Sequence, residues 1–344
     1  MTQPPKPLPR ICVVVPAYQA ANYIARNIAA LFEAGFDASD ITVVDDGSTD
    51  NTGALALQTG VTVLRNERPM RPAAARNRGV RETHSDIVLF VDADVVVHAD
   101  IKTRLLHAFQ DPTLTAVFGS YDTTPDAPRL VSRYRNLLHH YVHQQSAGSS
   151  NTFWTGLGAV RRTSFEAVGG FDITMDFMED VELGQRLNGG HIVLDPALLG
   201  THLKDWTLWN MFKVDLWHRA VPWTRLIMSG RASQGGMNLS RRHQLSAASV
   251  GIFALSFLFA IWFPPAFGVS ATAFATFLGL NAGLLRLLLK TGGLQLMVSG
   301  IFFHAVHYIA AMLGYLKVRL FEKTSHSAAA TSKSGADKSG TRPI

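Results

Sequence analysis

The chain has a single cysteine, Cys12, among 344 residues. It lies within the apolar run Ile11-Cys12-Val13-Val14-Val15. No intramolecular disulfide can form, and the thiol reads as a small buried apolar group. The start, Met1 to Arg10, is Pro-rich and lacks an apolar h-region, so it is not expected to act as a signal peptide. After the first apolar run the chain reads Pro16-Ala17-Tyr18, without the glycine fingerprint of dinucleotide binding. A Walker lysine loop is missing too, so dehydrogenases and P-loop enzymes are excluded. His139 and His143 are four residues apart, but no glutamate completes a metalloprotease pattern. These two and His140 are therefore expected to be solvated or to face an acceptor. Ionisable residues are sparse from Leu245 to Leu320. Large apolar residues are lacking from Thr324 to Ile344, so that tail is expected to be disordered.

What is present up to about Arg242 has the mixture of a soluble α/β domain. Ile87 to Val91 is a short β-branched and aromatic run, read as a strand buried on both faces; Ile11 to Val15 reads as another buried strand, and Ile41 to Val44 and Val61 to Leu64 as the second and third strands. Asn22 to Ala34, Thr52 to Gln58 and Pro72 to Thr83 fit helices between them. Alternating strands and helices imply right-handed crossovers and a parallel sheet. Two of the strands end in carboxylate pairs, Asp45-Asp46 and Asp92-Ala93-Asp94. Open α/β sheets bind ligands at that edge. Carboxylates delivered there describe a site for a metal-bound, phosphate-bearing ligand.

Five segments in order, Val13-Val14-Val15-Pro16-Ala17-Tyr18, Val43-Val44-Asp45-Asp46-Gly47-Ser48-Thr49-Asp50, Ala75-Arg76-Asn77-Arg78-Gly79, Asp92-Ala93-Asp94 and Met178-Glu179-Asp180, resemble family 2 glycosyltransferases of the GT-A fold. The resemblance covers roughly Ile11 to His202. It implies a Rossmann-like α/β domain, a nucleotide-sugar donor such as a UDP- or GDP-sugar, a divalent metal (Mg2+ or Mn2+) and inversion at the anomeric carbon.

By that resemblance Asp94 is a metal ligand, and Asp92 faces the ribose or reaches the metal through water. Asp45 bonds the nucleotide base, Pro16-Ala17-Tyr18 line base and ribose, and Arg76 helps to hold the donor. Asp46 with Gly47-Ser48 fits either the donor site or a tight turn capping the helix at Thr52. Asp180, with Glu179 in support, resembles the catalytic base, and its residue type also suits a helix N-cap. His202 falls where many GT-A enzymes place a third metal ligand; a polar loop residue over the diphosphate is the other reading. Processive polysaccharide synthases carry Gln-X-X-Arg-Trp after the Glu-Asp motif. Here the chain has His218-Arg219-Ala220-Val221-Pro222-Trp223, which argues against polymer synthesis and leaves Arg219 free to approach the diphosphate or an anionic head group.

The expected organisation is an N-terminal segment 1–10, a catalytic domain 11–205, an interfacial amphipathic segment 206–243, two to three transmembrane helices in 244–320, and a tail 321–344. Trp206, Trp209, Trp217 and Trp223 alternate with Lys204, Lys213, Arg219 and Arg225, as in a helix lying in a membrane interface. Leu245 to Phe263, Ala266 to Leu289 and Leu294 to Leu316 are candidate spans. Arg241-Arg242 before the first places the catalytic domain in the cytoplasm. Three spans would put Lys317, Arg319 and Lys323 on the wrong side of the same rule, so one segment is expected to be interfacial or re-entrant. His304 and His307 either pack between helices or line a head-group groove. The formal net charge of +6 suits anionic lipid; nucleic acid is not an expected partner, since no binding motif appears. The expected function is a membrane-anchored transferase acting on a lipid-linked or membrane-proximal acceptor, with a processive synthase or a non-catalytic membrane scaffold as rivals.

Overall fold

A computed structural model describes residues 8–231 and 240–322. The Pro-rich start before Leu8, Lys323 and the polar tail beyond it lie outside the described residues.

The chain opens β1 (Ile11–Ala17), α1 (Ile24–Glu33), β2 (Ile41–Asp45), α2 (Thr52–Gln58), β3 (Thr62–Arg65), α3 (Arg71–Arg81) and β4 (Ile87–Val91). Each expected strand and helix of this half is present. β1, β2 and β4 are almost wholly buried, as continuous apolar runs require. α1 buries Ile24, Ile28 and Leu31 on one face. α3 has Pro72 in its first turn, where a missing N–H costs nothing.

After β4 come β5 (Val95–Val97), α4 (Ile101–Ala108), β6 (Leu114–Tyr121), α5 (Leu130–Gln145), β7 (Gly148–Ser150), β8 (Leu157–Arg161), α6 (Arg162–Ala167), α7 (Glu179–Arg186) and β9 (His191–His202). The strand order is β3-β2-β1-β4-β8-β6-β9-β5, with β7 beside β9. The expectation of a parallel sheet holds for β3-β2-β1-β4 and for β6 beside β9. β8 runs antiparallel to β4 and β6, and β5 antiparallel to β9. One apolar cluster, with Ile28, Leu31, Ile101 and Leu105, covers one face of the sheet. A second, with Phe90, Phe118, Phe153 and Phe165, covers the other.

The register brings the chemistry to one edge. Ala17 pairs with Asp45, β4 lies beside β1 and stops at Val91, and Val95 pairs with His202. Asn27 of α1, fully buried, ties the turn between Asp92 and Val95 by donating to both their carbonyls, at 3.0 and 2.7 Å.

The C-terminal part comprises α8 (Leu208–Lys213), a widened π-type stretch over Val214–Ala220, α9 (Val221–Met228), α10 (Arg241–Phe259), α11 (Ala266–Leu280) and α12 (Ala282–Lys317). The second expected span is interrupted at Asn281, and Gly293, at φ +69°, breaks α12. Among the described residues one helical stretch, Ala282–Glu322, is long and apolar enough to cross a membrane, with mean hydropathy 1.7. The expected tryptophan face also divides. Trp206 is buried and Trp223 half-buried, while Trp209 and Trp217 are exposed.

Candidate active site

At the β4 edge, Arg76 joins two segments of the site. Its guanidinium donates to Asp92 Oδ1 at 2.8 Å and to Glu179 Oε1 at 2.7 Å. Only 5% of the Arg76 side chain is exposed, against 35% for Asp92. The fixed fork of arginine suits it to hold two carboxylates at once. Burial pushes the Asp92 carboxyl up, and Arg76 opposes that shift.

Asp180 follows Glu179 in the first turn of α7. Its Oδ1 accepts from the Val181 N–H at 2.8 Å. Burial, then the neighbouring charge of Glu179, raises its carboxyl to about 7. A base poised near neutrality is suited to taking a proton. The residue before the pair, Met178, sits at φ +66°, a left-handed conformation that costs a side-chain-bearing residue about 1–3 kcal/mol. The loop leading to it is held from three sides. Arg71 pairs with Asp176, Arg231 pairs with Asp172 at 2.7 Å and with Glu182 at 2.9 Å, and Phe177 stacks on His218 at 3.9 Å.

Asp94 and His202 stand together, with Nε2 to Oδ2 at 3.6 Å. Burial raises the Asp94 carboxyl, but His202, Lys204 and the backbone together bring it below its ordinary range. Neighbouring ligands of one Mg2+ or Mn2+ sit about 3 Å apart, given metal–oxygen lengths near 2.1 Å. This oxygen–nitrogen pair therefore fits a divalent cation with little movement. Among the described residues no group of three or more His, Cys, Asp or Glu side chains could hold a metal alone.

His202 stacks flat on Tyr121 at 4.4 Å; Tyr121 meets His139 at 4.4 Å and His139 meets Trp154 at 4.5 Å, both tilted. His139 and His143 are not solvated as expected. His143 is buried and bonds the Gly119 carbonyl at 2.8 Å, and burial lowers both imidazoles, His143 to about 4. Both are neutral at pH 7 and form a layer beneath the site. Arg219, from the stretch after α8, makes no hydrogen bond or ion pair among the described residues. It lies within electrostatic reach of Tyr121 and Asp180.

The donor-side residues separate into two roles. Asp45 is fully buried, accepts from the Ser48 N–H at 2.9 Å, and its Oδ2 lies 3.5 Å from the Arg65 guanidinium. Pro16 and Ala17 end β1 beside it, and Tyr18 is 54% exposed. Asp46 instead accepts from the backbone N–H groups of Met70 and Arg71, at 2.8 Å each, and from Asn66. It caps α3, not the helix at Thr52; that helix takes its cap from Asp50. Asn27, Tyr121 and Trp154 were missed by sequence reasoning, and the apolar setting of Asn27 in α1 was the one available signal.

The family model for glycosyl transferase family 2 matches residues 12–169, which ends before Glu179-Asp180. The pre-mycofactocin glycosyltransferase of Mycobacterium tuberculosis is 30% identical over 213 residues, 57% of this chain and 44% of that one. The chain thus spans less than half the length of that relative. The O-antigen chain rhamnosyltransferase RfbN of Salmonella typhimurium is 22% identical, covering 80% of this chain and 89% of its own. Among solved structures, the mannosyltransferase PcManGT from Pyrobaculum calidifontis, in complex with GDP-Man and Mn2+, aligns with a TM-score of 0.57 at 21% identity, covering 91% of this chain and 88% of that one. With the motifs, the sheet edge and these matches in agreement, residues 12–169 form a glycosyl transferase family 2 domain on a GT-A-like sheet.

Proposed function

We propose that this protein is a membrane-anchored, inverting, metal-dependent glycosyltransferase that moves a sugar from a UDP- or GDP-linked donor to a lipid-linked or membrane-proximal acceptor. The observation that carries this reading is one cleft holding the Asp94–His202 pair, the Arg76-bridged Asp92 and Glu179, and Asp180 with its raised carboxyl, overlooked by Arg219 of the helical segment expected at the membrane.

Asp45, at the end of β2, is assigned to the nucleotide base, and the end of β1 lines base and ribose. Asp94 and His202 would hold Mg2+ or Mn2+, with Asp92 close by; when bound, the cation neutralises charge on the departing diphosphate. Asp180 takes the acceptor proton as the acceptor oxygen attacks the anomeric carbon from the face opposite the diphosphate. One carbon–oxygen bond forms as the bond to phosphate breaks, inverting the centre. Where the acceptor is itself a phosphate, Asp180 positions it instead. Arg219 is placed to meet an anionic head group. The complex of PcManGT with GDP-Man and Mn2+ supports the donor and metal classes at the level of the fold. Arg241-Arg242 supports a cytoplasmic catalytic domain.

The test is transfer of radiolabel from a panel of UDP- and GDP-sugars into a lipid extract, with Mn2+ or with chelator. A lipid product bearing one sugar, lost in chelator, supports the reading. Long polymer, full activity in chelator, or no turnover of any donor would sink it.

A further inference from the structure

The path of α12 conflicts with a simple span. From Thr291 onward it is fastened along its length to elements that build the catalytic cleft. Arg133 of α5 donates to the Thr291 carbonyl at 3.2 Å. Tyr134 Oη meets His304 Nδ1 at 2.7 Å, and Asp215 meets His307 at 2.8 Å. A Cβ on Gly314 would lie 2.5 Å from the Ala220 side chain. Arg225 grips Glu322 with two bonds of 2.8 Å. Partner numbers 215, 220 and 225 rise together with 307, 314 and 322, so the two segments run side by side. The first segment is itself tied to the catalytic domain, by Asp215 to Arg135 of α5 at 2.6 Å, and so cannot enter hydrocarbon. From Leu294 to Lys317 the arm of α12 is about 36 Å long. No turn of it is free to leave the catalytic domain and cross.

The α10–α11 hairpin behaves differently. Ser246 meets Asn281, Phe253 meets Phe274, Phe257 meets Phe267, and Ser256 meets Ser270, an antiparallel pair. Its base is tied to α5 and α12, by Arg242 to Tyr141 and by His243 to Tyr308. Near its middle α10 meets α12, where a Cβ on Gly251 would lie 3.5 Å from the Met312 sulfur. From Ile252 to Phe259, about 12 Å by its rise, α10 is paired with α11 and exposes Ile252, Leu255, Phe257, Leu258 and Phe259. That length is close to half of a hydrocarbon core about 30 Å thick. The tip between Ser256 and Ser270 has no charged or hydroxyl side chain, and Ile261 and Trp262 are 68% and 77% exposed. A turn of that composition is disfavoured in the water beyond a membrane. The hydroxyls nearest to it bond helix carbonyls or each other, as lipid surroundings demand. From Leu216 to Phe321 the chain contains no aspartate or glutamate but has nine arginines and lysines.

We propose that the C-terminal region seats in a single leaflet of an anionic bilayer: α12 lies along the surface beneath the catalytic domain, and the α10–α11 hairpin dips tip-first into the hydrocarbon without crossing it. This arrangement rests on the membrane reading given above and removes its charge conflict, since Arg241, Arg242, Lys317 and Arg319 all stay on one side.

The test uses the full chain with Cys12→Ala and one new cysteine at Asp126, Trp262 or Leu320, in intact spheroplasts and in inverted vesicles of a bacterial host. A membrane-impermeant maleimide should label Leu320→Cys only in the preparation that labels Asp126→Cys. It should label Trp262→Cys in neither, while a permeant reagent does. A bimane at position 262 should be quenched by lipids carrying a deep nitroxide. Impermeant labelling of position 262 or 320 from the side opposite Asp126→Cys overturns the single-leaflet seat. Failure of the unmodified chain to float with anionic vesicles would instead overturn the membrane reading itself.

Discussion

Two buried arginines divide the molecule. Arg76 sits at the catalytic edge and Arg135 at the junction with α12, with 5% and 6% of their side chains exposed. Each grips carboxylates, but the carboxylates differ. Asp92 and Glu179 keep 35% and 12% of their side chains open, and Asp180 next to them is held high. Asp215, gripped by Arg135 and by His307, is 1% exposed. There burial works against the carboxylate, yet Arg135 and then His307 hold it well below its ordinary range. The same ion-pair chemistry makes a site where a carboxylate remains open to a ligand, and a rivet where it is sealed. Removing one partner of a sealed pair leaves an uncompensated buried charge. Removing one carboxylate of the open site removes chemistry and leaves the fold standing.

The largest effect should come from Asp94→Asn. Transfer is expected to be abolished and metal-dependent donor binding weakened, because a neutral amide is a poor ligand for a hard cation. Radiolabel transfer and donor titration with and without Mn2+ check this, and wild-type turnover would refute it. Next, Asp180→Asn should keep donor affinity within a few-fold but lower turnover by roughly 10²–10⁴. In the unaltered enzyme, turnover should climb as pH rises through about 7, because only the carboxylate accepts a proton. That limb should vanish in the variant. The sign for stability is opposite: a carboxyl raised in the folded state stabilises it when protonated, and that contribution fades as pH rises from 3.8 to about 7.

On the other side of the comparison, Asp215→Ala should cost about 3–5 kcal/mol in denaturant unfolding of the detergent-solubilised chain. The double change Arg135→Met with Asp215→Leu should recover most of it. A single variant as stable as the parent would show that the junction is no rivet. The smallest effect belongs to Asp46→Ala, which strips a cap from α3 and should cost about 1–2 kcal/mol with donor affinity unchanged. Lost donor binding at full stability would return Asp46 to the donor site.

β1, β2 and β4 were legible because each is buried on both faces and reads as an unbroken apolar run; β3, at the sheet's edge, exposes Thr62 and Arg65. The other half gave no such signal. β6 contains Gly119 and Ser120 and shifts register there; β9 contains Asp195, Pro196 and Gly200. Carboxylates at strand ends announced the site, since position after an apolar run is a local property. Asn27, Tyr121, Trp154 and Asp215 gain their meaning from partners 65 to 92 residues away or from rings on other elements, and no local spacing records that. The membrane segments were visible as composition, but their breaks at Asn281 and Gly293 belong to packing and backbone geometry.

The helical stretch from α8 through α9 turns Trp209 and Trp217 outward while offering Arg219 to the cleft. On the membrane seat proposed above, this one helical stretch would reach both the lipid boundary and the reacting centre. Its diameter, about 10–12 Å with side chains, would then set how high above the acyl chains a bond can be made. The enzyme would work as a ruler, choosing an acceptor by the height at which it presents its oxygen before any contact reads its chemistry.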